Sequence, residues 1–133
     1  MYQVGINRAL QQYHHAGVAE ASEADPHRLI QMLLEGALQR IAIARGAMQQ
    51  GNVAVKGDRL SSAISIIEGL RSHLDMERGG EIAANLEALY DYMQQRLLQA
   101  NLRNDEDILE EVAGLLRQIK SAWDAIPQQQ PAA

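Results

Sequence analysis

No cysteine and no phenylalanine occur among the 133 residues. The missing thiols exclude disulfides, thiolate zinc sites, iron–sulfur clusters and cysteine nucleophiles. Aromatics make up only 4% of the chain, with one Trp and four Tyr. Ala, Leu, Gln and Glu abound and β-branched runs are scarce, a composition that favours helix. Long apolar runs are missing too: no stretch approaches the roughly 20 residues needed to span a bilayer. Met1 to Leu10 lacks the basic start and apolar run of a signal peptide, so a soluble, untargeted protein is expected, with no membrane insertion. Positive charge is the scarcer sign, 12 Lys and Arg against 17 Asp and Glu for a net charge of -5. Such a field repels phosphate polymers, and nucleic acid is not an expected partner.

What is present is helical periodicity. The length suits one domain, residues 1–133. An N-terminal arm, 1–24, carries Tyr2, Ile6, Leu10 and Tyr13. Asp25-Pro26 then supplies an N-cap and the residue suited to a first helical position. Leu29, Ile30, Leu33, Leu34, Ala37, Ile41, Ala44 and Met48 share one arc, widened by Met32, Ile43 and Ala47, which implies contacts on two sides. Gly51-Asn52 stops that helix. Leu60, Ala63, Ile64, Ile67, Leu70 and Leu74 form a second stripe, faced by Lys56, Asp58, Arg59, Ser62 and Glu68. Arg78-Gly79-Gly80 breaks the pattern before a third stripe of Ile82, Leu86, Leu89, Met93, Leu97 and Ala100. After a turn at Asn101 to Asn104, a fourth stripe runs through Ile108, Val112, Leu115, Leu116, Ile119, Ala122, Trp123 and Ile126. It places Trp123 in the core. Pro127 ends it, and residues 127–133 form a tail without apolar pattern. The simplest burial of four such stripes is an all-α, antiparallel up-and-down four-helix bundle over 25–126, with the arm or a short arm helix packed across it.

Bundles host several chemistries, and each leaves a signature. A dinuclear carboxylate site needs Glu-x-x-His on two helices. The residues three before His14, His15, His27 and His73 are Gln11, Gln12, Ala24 and Leu70, so that motif is absent. His14 and His15 are adjacent, point about 100° apart on a helix and have no third ligand in sight. Asp105, Glu106 and Asp107 sit where a helix opens and complement its dipole without an ion. Gly79-Gly80 lacks the spacing of a phosphate loop and suits a left-handed turn. No metal, cofactor or catalytic residue is expected. A histidine phosphotransfer bundle, with His73 as the phosphorylated residue, remains one alternative; a homomeric structural bundle is another. Tyr90 and Tyr92 lie about 160° apart on the wheel, so at most one fits the seam lined by Leu86, Leu89 and Met93.

Gly79-Gly80-Glu81-Ile82-Ala83, Asn85-Leu86, Leu89-Tyr90-Asp91-Tyr92-Met93, Leu97-Leu98-Gln99-Ala100-Asn101 and Trp123 closely resemble the FliS family of flagellin export chaperones. The match extends back through Lys56-Gly57, Ala63-Ile64, Ile66-Ile67 and Leu74-Asp75. It includes the helix opening at Pro26-His27 and covers roughly Met1 to Ile126. Two departures stand out: Asp25 where Ser is usual before Pro, and Leu34 where an aromatic is common. Asp caps a helix as well as Ser, so only a contact near Leu34 is affected.

The resemblance implies a cytoplasmic, non-enzymatic chaperone. It would bind the disordered C-terminal region of flagellin, prevent premature polymerisation and assist delivery to the flagellar type III export apparatus. A flagellar export-gate component and flagellar regulators are further partners it leaves open. Flagellin's terminal regions are expected to be amphipathic helices, which a helical scaffold covers in the helix-in-groove mode. The expected groove combines Leu60, Ile64 and Ile67 with Leu86, Leu89, Tyr90, Met93 and Leu97, Tyr90 being ranked first as a ring at the stripe's shoulder. By resemblance the arm folds back over part of the binding surface, with Ile6, Leu10 and Tyr13 as its apolar edge.

Overall fold

The computed structural model describes residues 25–127. They form α1 (Pro26–Gln49), α2 (Val53–Ser72), α3 (Met76–Arg103) and α4 (Glu106–Ala125). Each helix packs on the next and α4 returns to α1, closing an antiparallel up-and-down bundle with short turns. The expected arm, with Tyr2, Ile6, Leu10, Tyr13, His14 and His15, and most of the tail lie outside the described residues.

Every helix opens on an Asx side chain that accepts from its own first turn. Asp25 Oδ1 takes the Arg28 amide at 2.8 Å, with Pro26 following at a position that has no N–H to satisfy. Asn52 takes Val55, Asp75 takes Glu77 and Arg78, and Asp105 takes Asp107 and Ile108. Each such cap contributes about 0.5–2 kcal/mol relative to alanine. The four acceptors fix where the helices begin.

The core is aliphatic, as the composition requires. Leu33, Leu34, Leu60, Ile66, Ile67, Leu70, Met93, Leu97, Leu109, Val112 and Leu116 are almost wholly buried. Each large side chain removed from water contributes on the order of 1.5–3 kcal/mol. Helices α1 and α2 carry ten and eight buried residues, and α3 and α4 only five each. The wide α1 arc is therefore explained, except that Ile43 faces outward.

Two residues assigned to the polar face of α2 are buried instead. The Lys56 stem lies inside, and Nζ reaches the Asn101 carbonyl at 3.0 Å and Asn104 Oδ1 at 3.2 Å. It thereby satisfies the end of α3, where Asn104 adopts a left-handed C-cap (φ 54°). A long cationic stem that buries its methylenes and delivers charge to a helix C-terminus looks polar in sequence and structural in space. Ser62 accepts from Arg40 Nε at 3.3 Å, and both are buried between α1 and α2.

The Gly79-Gly80 break is also more specific than a loop. Helix α3 starts at Met76, turns sharply at Gly80 (φ 51°, ψ −127°) and resumes. L-residues avoid that backbone region. At Gly79 the constraint is space: a Cβ would lie 2.6 Å from the Ala83 Cβ. Gly80→Ala is expected to lower unfolding free energy by about 1–3 kcal/mol, readable as a reduced urea midpoint with an unchanged slope.

Candidate functional site

The eight side chains expected to line a groove divide sharply by accessibility. Leu60, Ile67, Met93 and Leu97 are core residues, and Tyr90 is 3% exposed. Only Ile64, Leu86 and Leu89 are half-buried and offer surface to a visitor. Tyr90 thus does not stand at the shoulder, which corrects its expected exposure; Tyr92, at 43% exposure, is the tyrosine outside. Seam geometry allowed one ring inside and one outside without saying which. The choice falls on Tyr90 because it shares the inward stripe of Met93 and Leu97.

The seams are laced unequally. Between α2 and α3, Gln94 Nε2 donates to the Ile64 carbonyl at 3.1 Å and Glu68 Oε2 at 3.2 Å, while Arg71 donates to Gln94 Oε1 at 3.0 Å. Between α1 and α4, Arg45 binds Glu106 and Glu110, each at 3.1 Å, and Gln31 reaches Asp124 at 2.8 Å. The end of α4 is held to the start of α1 by a reciprocal clasp. Trp123 Nε1 donates to the His27 carbonyl at 2.9 Å, and His27 Nε2 lies 3.1 Å from the Trp123 carbonyl. The rings stack with centroids 5.0 Å apart. Trp123 is consequently half-buried at the rim, not in the core.

Between α3 and α4 the side-chain hydrogen bonds converge on Glu111, midway along: Tyr92 Oη donates at 2.6 Å and Arg96 Nε at 2.8 Å. These two donors hold the Glu111 carboxyl below the usual carboxylate range, and the Tyr92 bond raises its phenol. Beyond that knot the two helices present apolar residues with incomplete cover. On α3 these are Leu86 and Leu89, with Ile82 at 74% exposure; on α4 they are Leu115, Ile119 and Trp123. The α4 wall was legible as a stripe, but only the structure shows that its buried part ends at Leu116.

His73, the phosphotransfer alternative, directs Nδ1 to the Gly69 carbonyl of its own helix at 3.0 Å. Among the described residues no group of three His, Asp or Glu side chains could hold a metal ion, and no helix is long and apolar enough to cross a membrane.

A bundle with an incompletely covered apolar end can now be set beside known proteins. The family profile described as "Flagellar protein FliS" matches residues 6–130. The chain belongs to the FliS family. A flagellar secretion chaperone FliSB of Pseudomonas aeruginosa is 51% identical over 120 residues, covering 90% of this chain and 95% of its own. The FliS chaperone of Salmonella typhimurium is 57% identical over 104 residues, covering 77% of each chain. FliS of Bacillus subtilis shares 37% over 100 residues, or 75% and 74% of the two chains. In this FliS chain the Leu-Tyr-Asp-Tyr-Met block thus divides its labour: Tyr90 and Met93 fill the core, and Tyr92 ties α3 to α4.

Burial pushes the Tyr90 phenol up to about 12 from 10.0. Its neutral form is favoured by folding, so that stabilisation is complete below pH 10 and is lost as pH rises through about 12. Tyr90→Phe should flatten the fall of melting temperature across this alkaline window. Tyr90→Ala should destabilise the fold by about 3–5 kcal/mol in chemical denaturation, as expected for losing a buried ring.

Proposed function

We propose that this chain is a cytoplasmic, non-enzymatic chaperone that holds the disordered C-terminal region of flagellin before export. It prevents premature polymerisation and assists delivery to the flagellar type III export apparatus. The observation that carries this reading is the incompletely covered apolar strip of α3 and α4 in a chain of the FliS family. An amphipathic client helix would supply the missing cover, bringing Leu86 and Leu89 into contact with it on one side and Leu115 and Ile119 on the other. Ile64 is the accessible remnant of the wall expected on α2. The buried members of the expected groove, Leu60, Ile67, Tyr90, Met93 and Leu97, support this surface from behind.

A client that folds on contact loses chain entropy as it docks, which keeps affinity moderate for the area covered and leaves release possible. The N-terminal arm has a matching role in this proposal: Ile6, Leu10 and Tyr13 cover the groove until the client displaces them. Three apolar residues cannot stabilise an isolated helix in water, so the arm needs such a surface.

Size exclusion of the chain co-expressed with flagellin tests the pairing. Leu86→Gln with Ile119→Gln should weaken flagellin binding at least about tenfold, a loss near 1.4 kcal/mol, while the bundle retains its helical circular dichroism. Unchanged affinity would move the groove elsewhere. Deleting residues 1–17 should leave flagellin binding equal or tighter and make the free chaperone more prone to aggregate. A soluble truncation that no longer binds would show instead that the arm contacts the client directly.

A further inference from the structure

Most amide side chains in this bundle are engaged within it. Gln31 ties to Asp124, Gln49 to Glu106 and Gln94 to Ile64 and Glu68, while Gln99 accepts from Arg96. Asn85 and Gln118 differ: both are exposed, and neither side chain forms a hydrogen bond with the described residues. Their places follow from the Tyr92–Glu111 bond, which marks the sides on which α3 and α4 meet. Asn85 lies seven residues before Tyr92 and Gln118 seven after Glu111, two turns along each helix, so both keep to the meeting side. Because α3 and α4 are antiparallel, the two steps run the same way, toward the uncovered end. The two amides thus stand on facing lips of the apolar strip, beside Leu86 and Leu89 on one wall and Leu115 and Ile119 on the other.

The lips are also small and nearly free of charge. Ala88 and Ala122, both exposed, accompany the amides. Nearby charges turn away: Glu87 and Asp91 pair with Arg71 of α2, Arg117 pairs with Glu110, and Asp124 binds Lys120 and Gln31 of α1. From the Gly80 turn to the knot on α3, and from the knot to the end of α4, Glu81 alone places a charge on the meeting side, one turn beyond Asn85. A helix seated on the strip brings its apolar face to the leucines and its flanks to these lips. A charged flank there would lose water and gain no opposite charge. An amide or hydroxyl flank exchanges water for Asn85 and Gln118, each of which both donates and accepts, and the alanines let the helix approach closely.

We infer that Asn85 and Gln118 select the client: the flagellin segment docked here is an amphipathic helix flanked by uncharged amide and hydroxyl side chains. The inference rests on the flagellin reading and adds to it the chemistry of the client's flanks.

The test titrates purified flagellin into the full chain at about 0.05 and 0.5 M salt, spanning weak and strong screening. Parent affinity should change less than about twofold, since no ion pair forms across the lips. Asn85→Leu with Gln118→Met keeps the size of both side chains and removes their polar groups. It should bind about tenfold more weakly, because the client's own polar groups are left unpaired. A strip acting through apolar area alone would gain from the same change, so equal or tighter binding overturns the inference. Asn85→Asp with Gln118→Glu keeps the shape and adds charge, and should also bind about tenfold more weakly at low salt. Parent-like affinity in that variant overturns the inference, and so does tighter binding, which would reveal a basic client flank. A parent affinity that falls about tenfold with salt overturns it as well. Thermal melts establish that both variants are folded, and the acidic pair carries the test should the apolar pair aggregate. A parent that binds no flagellin at either salt overturns the flagellin reading itself, and the flank requirement with it.

Discussion

Packing of α1 against α2 is the interaction on which the other helices depend. These two helices carry most of the buried residues, including the Leu33, Leu34, Ile66 and Ile67 side chains and the buried Arg40–Ser62 hydrogen bond. Such a pair presents a continuous apolar surface on which α3 and α4 rest by narrower stripes. Because neither of those helices is buried along its whole length, they can close the bundle fully at one end and leave it incompletely covered at the other. The surface proposed for the client is thus a by-product of unequal stripe widths, not of a separate binding module.

Most of the fold was legible in sequence because helical period and capping are local signals. Asp25-Pro26 and Asp105 mark helix starts with the residue types that satisfy free amides, and the structure uses both; Asn52, read as the stop of α1, also caps α2. Lys56 and Ser62 were misassigned because periodicity is judged by side-chain polarity, while a buried lysine is stabilised by partners 45 and 48 residues away. Trp123 was placed in the core for the opposite reason: its ring is apolar, but its N–H needs an acceptor, and the His27 carbonyl at the rim supplies one. The expected groove residues form a stripe on each of α2 and α3, most of both buried. A stripe contains both the positions that face the core and the positions at its uncovered end, and only the placement of α4 separates Met93 and Leu97 from Leu86 and Leu89.

The polar ties follow the same division. Strong ties at the start of α1 hold the last turn of α4 to it, and Arg71 and Gln94 hold α3 to α2. The Tyr92–Glu111–Arg96 knot alone spans α3 and α4 with side-chain hydrogen bonds among the described residues. A client helix inserted beyond that knot would meet two walls that are each anchored from behind, so it could be accepted without loosening the packing that defines the fold.

The lysine at the far end of the bundle has a bearing on motion. Lys56 fastens α2 to the close of α3 at the end where both the α1–α2 and α3–α4 turns lie. Local opening of a protein proceeds by cooperative units of unequal stability, and the least stable units are those with few buried contacts. In this bundle the restart of α3 after Gly80, where Glu81, Ile82, Ala84 and Asn85 are exposed, has few buried contacts, whereas the opposite end is clamped by Lys56. The Gly80 end can open locally while the clamped end keeps the register of the four helices.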